Sequence, residues 1–291
     1  MRWPNAELKI DLELGEHSPP AKSPYKLNKE QLQELKKQLK YYIEVGFLRP
    51  SSSPYASPVL FAPKFRADGT FDGWRFCCDY RGLNKYTRRD MTPLPPIDQI
   101  IEQLAGAKVF SKIDLTQYYH QIPIRDEDIE KTAITTKYGN YEWTVVPFGL
   151  TNAPAVAVRI GNRLLYDMID EFVIIFMDDI LVYSKNYDDH ATHLEKILAR
   201  FKEWNFYVHP GKCDFFLDSV KYLGLIIDAH GISIPESGKE AILDWPVPMP
   251  DSLGKKKRKR NPDGKTALRT FLAWWAGIAS LFRGFQNEQL L

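Results

Sequence analysis

Apolar positions along the chain switch repeatedly between two periods. Leu32, Leu35, Leu39 and Ile43 fall on one stripe at helical spacing, and Asn28 is followed three residues later by Gln31. That is the form of a capping box, so a helix is expected over 28–46. Pro50 and the run SSSPYASP then read as loop. VLFAPKF and WRFCCDY are short strands flanking RADGTFDG, a turn-rich hairpin tip. PLPP leads into a helix, IDQIIEQLAGAK, and VFSKID reads as a strand ending on Asp114. TAITTKYGNYEWTVV reads as a hairpin turned at Gly139–Asn140. In TNAP, Asn152 is a capping residue and Pro154 a first-turn proline, so a helix starts there. FVIIFMDDILVY is two apolar runs around a pair of aspartates. Residues 188–204, 236–245 and about 265–282 read as helices, and KYLGLII as a strand. Without a regular βαβ rhythm, this order predicts an α+β fold, an antiparallel sheet packed by helices.

Composition changes this picture little. The chain has 291 residues and 44% hydrophobic content, enough for one large enzyme built of subdomains or for two average domains. The formal net charge is +2, so a nucleic-acid partner must be argued from local patches. Cys77, Cys78 and Cys213 form no CxxC pair, which supports neither a zinc site nor a disulfide framework and fits a reducing compartment. No run approaches the roughly 18–20 apolar residues of a membrane span. The N-terminus lacks a signal-peptide core, so no membrane partner and a nuclear or cytoplasmic location are expected. Residues 1–25 read as an extended arm, and KKKRKR at 255–260 as a basic loop between helices. That run also fits a nuclear-import signal or a phosphate contact.

The aspartates carry the chemistry. Asp178–Asp179 alone is what a hairpin turn looks like. FVIIFM, however, is apolar at every position, as in a strand buried on both faces, and Asp114 ends a second apolar strand. If those strands are neighbours, three carboxylates meet at one sheet edge. They are expected to stand without a basic partner in their own motifs, and so to repel one another until a cation neutralises them. Hard divalent cations take oxygen ligands, and a pair of them suits in-line phosphoryl transfer.

Further motifs extend this reading. They are SPYASPV (53–59), RFCCDYRGLN (75–84), PLPPID (93–98), FSKIDL (110–115), YHQI (119–122), KTA (131–133), YGNYEW (138–143), VPFGLTNAPA (146–155), FMDDILVYS (176–184), KC-x-F (212–215) and YLG (222–224). In this order the chain resembles the reverse transcriptase of gypsy-type long-terminal-repeat retrotransposons (Metaviridae) from about residue 8 to about 285. The resemblance implies a right-hand polymerase fold. Its parts would be an N-terminal arm at 1–25, fingers at 26–88 and 120–148, palm at 89–119 and 149–232, and a partial thumb at 233–291. It implies RNA- and DNA-directed DNA synthesis from deoxynucleoside triphosphates on a primed RNA or DNA template, with two Mg2+ ions or Mn2+ in their place. Asp114, Asp178 and Asp179 would be the metal site, with the Leu115 carbonyl completing one shell. Tyr119 would be the gate beneath the sugar, or else a half-buried sheet aromatic. Phe148 and Gly149 would line the nucleotide pocket. Arg75, with Lys64 or Arg66, would hold the triphosphate, the latter two reading equally as a solvated hairpin tip. Lys212 would be the acid that protonates pyrophosphate, or a loop lysine. Tyr222, Leu223 and Gly224 would be the primer grip. Asp79 and Arg81 read as a structural pair.

No ribonuclease H, protease or integrase segment is expected, the rest of a retroelement polyprotein being absent or separate. An intact element would carry the enzyme in a virus-like particle.

The chain also departs from the pattern. Tyr118 stands where the family has a small residue, and Val156, Ala157 and Val158 replace its Thr-Phe-Gln. Gly161 falls inside that helix, at a cost of about 1 kcal/mol against alanine. Tyr118 and Ala157 are expected to form a volume swap. These changes leave a second function open, an impaired remnant that still binds nucleic acid. A third, a palm-type nucleotide cyclase, has no use for the PFGLTNAP and YLG segments.

Overall fold

The computed structural model describes residues 7–13, 19–66, 68–93 and 97–236. The helices expected over 236–245 and 265–282, and the basic loop at 255–260, lie essentially outside these residues.

Among the described residues, five helices and twelve strands follow one another as α1 (Lys29–Glu44), β1 (Leu48–Pro50), β2 (Ser57–Phe65), β3 (Phe71–Cys78), α2 (Arg81–Asn84), α3 (Ile97–Gln103), β4 (Val109–Asp114), β5 (Ile134–Thr136), β6 (Gly139–Trp143), α4 (Ala153–Leu164), β7 (Val173–Phe176), β8 (Asp179–Ser184), α5 (Tyr187–Glu203), β9 (Asp214–Leu217), β10 (Ser219–Tyr222), β11 (Leu225–Asp228) and β12 (Gly231–Ser233). Short 3-10 turns occupy Tyr118–Gln121, Asp126–Thr132 and Pro210–Lys212.

Contacts gather the described residues into two compact units. One holds residues up to 93 with Lys112–Val182 and Ala191–Phe215, and the other holds residues 97–111, Tyr183–His190 and those from Phe216 on. The first carries a five-stranded sheet in the order β1-β6-β5-β2-β3. All its pairings are antiparallel except β2 with β5. A four-stranded sheet runs β7-β8-β4-β9, and the second unit carries a β10-β11-β12 meander.

The elements form where periodicity put them, for identifiable reasons. α1 opens on a complete capping box: Asn28 accepts from the Gln31 backbone, and Gln31 accepts from the Asn28 backbone. Its stripe buries Leu35 and Leu39. β7 is buried at three of its four positions, as its unbroken apolar run requires. The described stretches of the N-terminal arm are pinned at intervals, with Leu8 bridged to Ile124, Leu12 to Thr87 and Ala21 to Ala56.

Three expectations are corrected. The β5–β6 hairpin turns at Lys137–Tyr138, not at Gly139–Asn140. There the Thr136 hydroxyl accepts from the Tyr138 backbone and donates to the Gly139 carbonyl, and Gly139, at φ 122°, already pairs with Thr136. Asn152 stands at the cap of α4 but does not cap it with its side chain, which donates to the Arg88 carbonyl and accepts from the Asp90 backbone. KYLGLII is not one strand. Leu223 and Gly224, at φ 51° and 82°, form a tight turn between β10 and β11.

Candidate active site

The sequence places Asp114 last on β4 and puts Asp178–Asp179 at the turn from β7 into β8. The strand FVIIFM itself, β7, is not the neighbour of β4; β8 lies between them, so it is through β8, which Asp179 opens, that the aspartate pair comes beside the end of β4. The β4 main chain is held from the other side. The His209 backbone donates to the Asp114 carbonyl at 2.8 Å, and Cys213 Sγ accepts from the Asp114 backbone at 3.3 Å. Leu115 bridges Val208 between the bonds Thr116 N to Tyr207 O and His209 N to Asp114 O. This is the non-hydrogen-bonded kind of pair, so the Leu115 carbonyl takes no part in the bridge.

The carboxylates are not left to repel one another. Lys112, two residues before Asp114, puts its Nζ 2.6 Å from Asp179 Oδ1, and Lys212 Nζ stands 3.9 Å from Asp114 Oδ1. The expectation that no basic residue of their own motifs meets the aspartates is therefore wrong, because FSKIDL itself supplies Lys112. Among the described residues, no three carboxylate, histidine or cysteine side chains converge as a ready-made cage. The donor set still fits magnesium, which takes one or two carboxylates and completes its shell with water and substrate phosphates.

Tyr118 and Tyr119 follow on the same segment and divide the labour. Tyr118 is buried, and its hydroxyl donates to the Ala157 carbonyl at 2.7 Å. A Cβ at Gly161 would lie 3.3 Å from that hydroxyl and 3.3 Å from Ile175 Cγ2. The contact with the 157 segment that the expected exchange of volume requires is thus present, and Gly161 packs against the same hydroxyl. Tyr119 is half-buried with its ring 5.4 Å from that of Phe148. Burial first, and the Asp178 charge second, raise its phenol above the ordinary value.

Phe148 is 45% exposed. It shares the lining of a cavity of about 490 Å3 with Lys64, Arg75, Trp74, Gln117 and His120. Gly149 has φ 106°, and a Cβ there would meet the Cys78 carbonyl at 3.0 Å, so only glycine fits. Asn84 clamps this loop, donating to the Gly149 carbonyl at 2.8 Å and accepting from the Thr151 backbone at 2.9 Å. Asn84 and Gln117 were missed as site-shaping residues. RGLN held the first in plain view, but nothing local links it to a loop 65 residues on.

The cations on the β2–β3 hairpin differ. Lys64 and Arg66 both pair with Asp72, at 2.7 and 3.0 Å, whereas Arg75 makes no ion pair among the described residues. Asp79 and Arg81 pair at 2.7 and 2.8 Å, as the structural reading had it. Arg81 first, then Tyr25, hold the Asp79 carboxyl well below the usual range against the pull of its burial. Tyr222, Leu223 and Gly224 lie in the other unit. The Tyr222 ring is buried there, so only the turn at Leu223–Gly224 presents itself outward.

Similarity to known proteins follows the same residues. A family model described as reverse transcriptase (RNA-dependent DNA polymerase) matches residues 63–227. A Retrovirus-related Pol polyprotein from transposon opus of Drosophila melanogaster is 35% identical over 246 residues, covering 84% of this chain and 24% of that protein. The Transposon Tf2-3 polyprotein of Schizosaccharomyces pombe is 31% identical over 242 residues, covering 83% of this chain and 18% of its own. The chain thus spans a quarter or less of these curated relatives. Among solved structures, the foamy viral protease-reverse transcriptase in complex with RNA/DNA hybrid aligns with a TM-score of 0.71 at 23% identity, over 85% of this chain and 33% of that one. The same protein in complex with dsDNA aligns equally, with 24% identity, over 81% and 48%. The fold is that of a right-hand polymerase, and the chain belongs to the reverse transcriptase (RNA-dependent DNA polymerase) family, with the reverse transcriptases of gypsy-type long-terminal-repeat retrotransposons.

Proposed function

We infer that the chain is an RNA- and DNA-directed DNA polymerase that joins deoxynucleoside triphosphates to a primer 3′-hydroxyl. The observation that carries this reading is the pairing of strand ends, Asp114 on β4 and Asp178–Asp179 entering β8. Asp114, Asp178, Asp179 and the Leu115 carbonyl would hold two Mg2+ ions, or Mn2+ in their place. When bound, such a pair activates the attacking hydroxyl and stabilises the leaving oxygen.

The protein groups have the following tasks. Phe148, packed on Tyr119, walls the base-pair pocket, and the Tyr119 ring occupies the space a 2′-hydroxyl needs. Gly149 keeps the wall close against Cys78. Arg75 binds the β- and γ-phosphates, and Lys64 and Arg66 join it when the triphosphate competes with Asp72 for them. Lys212 delivers a proton to the departing pyrophosphate. The Leu223–Gly224 turn holds the primer strand through its backbone.

The subdomains are assigned as fingers at 26–88 and 120–148, palm at 89–119 and 149–232, and partial thumb from 233. The nucleic-acid partner is a primed RNA or DNA template, a reading supported by the foamy viral neighbours in complex with RNA/DNA hybrid and with dsDNA. No helix among the described residues is long and apolar enough to cross a membrane. We assign the protein to the cytoplasm or nucleus.

Primer extension on RNA and DNA templates with Mg2+ tests the function. The unaltered chain should extend both, and Asp178→Asn should lose at least about a hundredfold in rate, the scale of one transition-state electrostatic contact. A folded protein that extends neither template, yet still binds primed duplex, would instead be the impaired remnant.

A further inference from the structure

Lys112 and Asp114 are two residues apart on β4, and alternate residues of a strand share a face. Both are the half-exposed positions of an otherwise buried strand. On that face Lys112 crosses to the neighbouring strand and meets Asp179 Oδ1 at 2.6 Å, with 27% and 40% of the two side chains exposed. An ammonium placed there occupies the same oxygens that a hard divalent cation would take. It is as close as a charge-assisted hydrogen bond allows, and partial burial shields it from salt.

We propose that Lys112 is the resident counter-cation of the metal site: it holds Asp179 in the metal-free chain and competes with Mg2+ for that carboxylate, so that it sets the concentration at which the site fills. Lys112 is a positioning residue in this account, acting through Asp179 and touching no substrate. The inference rests on the reading that these aspartates bind metal. It goes beyond that reading by naming what stabilises them beforehand and what opposes filling.

The chemistry fixes the direction of the effect. Without the ammonium, Asp179 loses a neutralising partner at the strand edge it shares with Asp114, so the metal-free chain is less stable. Mg2+ then meets less competition and binds at lower concentration.

The test is thermal denaturation of the full chain, first in chelator and then across a Mg2+ titration with no nucleotide or template. Lys112→Met and Lys112→Gln should each melt earlier than the unaltered chain in chelator. Each should also reach half of the Mg2+-induced shift at roughly two- to five-fold lower Mg2+, the range expected of a half-exposed ion pair. Lys112→Arg should keep both values near the unaltered ones. In an Asp179→Asn background, Lys112→Gln should no longer move the midpoint. Lys112→Gln removes the charge but keeps a polar end on the side chain, so it reads the effect even where the methionine variant does not fold. An unchanged midpoint in Lys112→Gln overturns the inference, and primer extension by the unaltered chain would then leave the polymerase reading intact. No Mg2+-induced shift in the unaltered chain overturns the inference together with metal binding.

Discussion

At the scale of single residues, the segment around Tyr118 decides whether the chain's departures from its family are damage or rearrangement. Tyr118, Ala157 and Gly161 meet: the buried ring bonds the Ala157 carbonyl through its hydroxyl, and a Cβ at Gly161 would crowd that hydroxyl. In an ordinary helix, glycine to alanine is worth about 1 kcal/mol of stability. Here the added methyl meets Tyr118 and Ile175 at distances that force them to move. Gly161→Ala should therefore destabilise, by about 1–2 kcal/mol in urea denaturation. Adding Tyr118→Phe, which removes the crowded hydroxyl, should recover part of that loss. A more stable Gly161→Ala protein would refute the coupling. The exchange at 118 and 157 was legible because two departures fell close together in kind. Lys112 was equally present in FSKIDL, yet its role was not read. Strand alternation put it on the face of Asp114, but only the order of strands reveals that Asp179 stands opposite.

At the scale of elements, local chemistry and tertiary demand divide cleanly. α1 is specified by its own residues, down to the reciprocal bonds of Asn28 and Gln31. Asn28→Ala should cost about 1 kcal/mol and raise amide exchange in the first turn of α1 alone. Uniform loosening of the whole chain would show that the cap is not the point of action. α4 looked equally well capped, but Asn152 is spent on holding Arg88 and Asp90, a partnership across more than 60 residues that no local pattern announces. The turn at Leu223–Gly224 was hidden for a different reason. Leucine seldom adopts a positive φ, so the apolar run KYLGLII gave no sign of breaking there.

Across the whole molecule, the extended arm is fastened by charge as well as by backbone. Asp128 is fully buried, and its carboxylate accepts from Arg125 Nε, Lys131 Nζ and the Ile10 backbone, while Lys131 also donates to the Ile10 carbonyl. One carboxylate thus binds a local turn to a segment 118 residues away. Asp128→Ala would leave the buried Ile10 N–H without its acceptor and Lys131 without its carboxylate, while Arg125 keeps Glu127 and Asp11, and should cost about 3 kcal/mol in chemical denaturation. A loss below 1 kcal/mol would mean that the arm is dispensable. The arm's extended form was evident in its lack of periodicity, but its partners were not, since an unpatterned strand carries no address.

That fastening has a consequence in time. Ile10 is synthesised before its anchor at Asp128, which follows 118 residues later. At a translation rate of about 5–20 residues per second, Ile10 waits on the order of ten seconds for the carboxylate that will hold it. Through that interval Leu8 and Ile10, both destined for full burial, lack the partners that will cover them. The clasp that fastens the arm is thus one that nascent synthesis holds open for most of the span between its two halves.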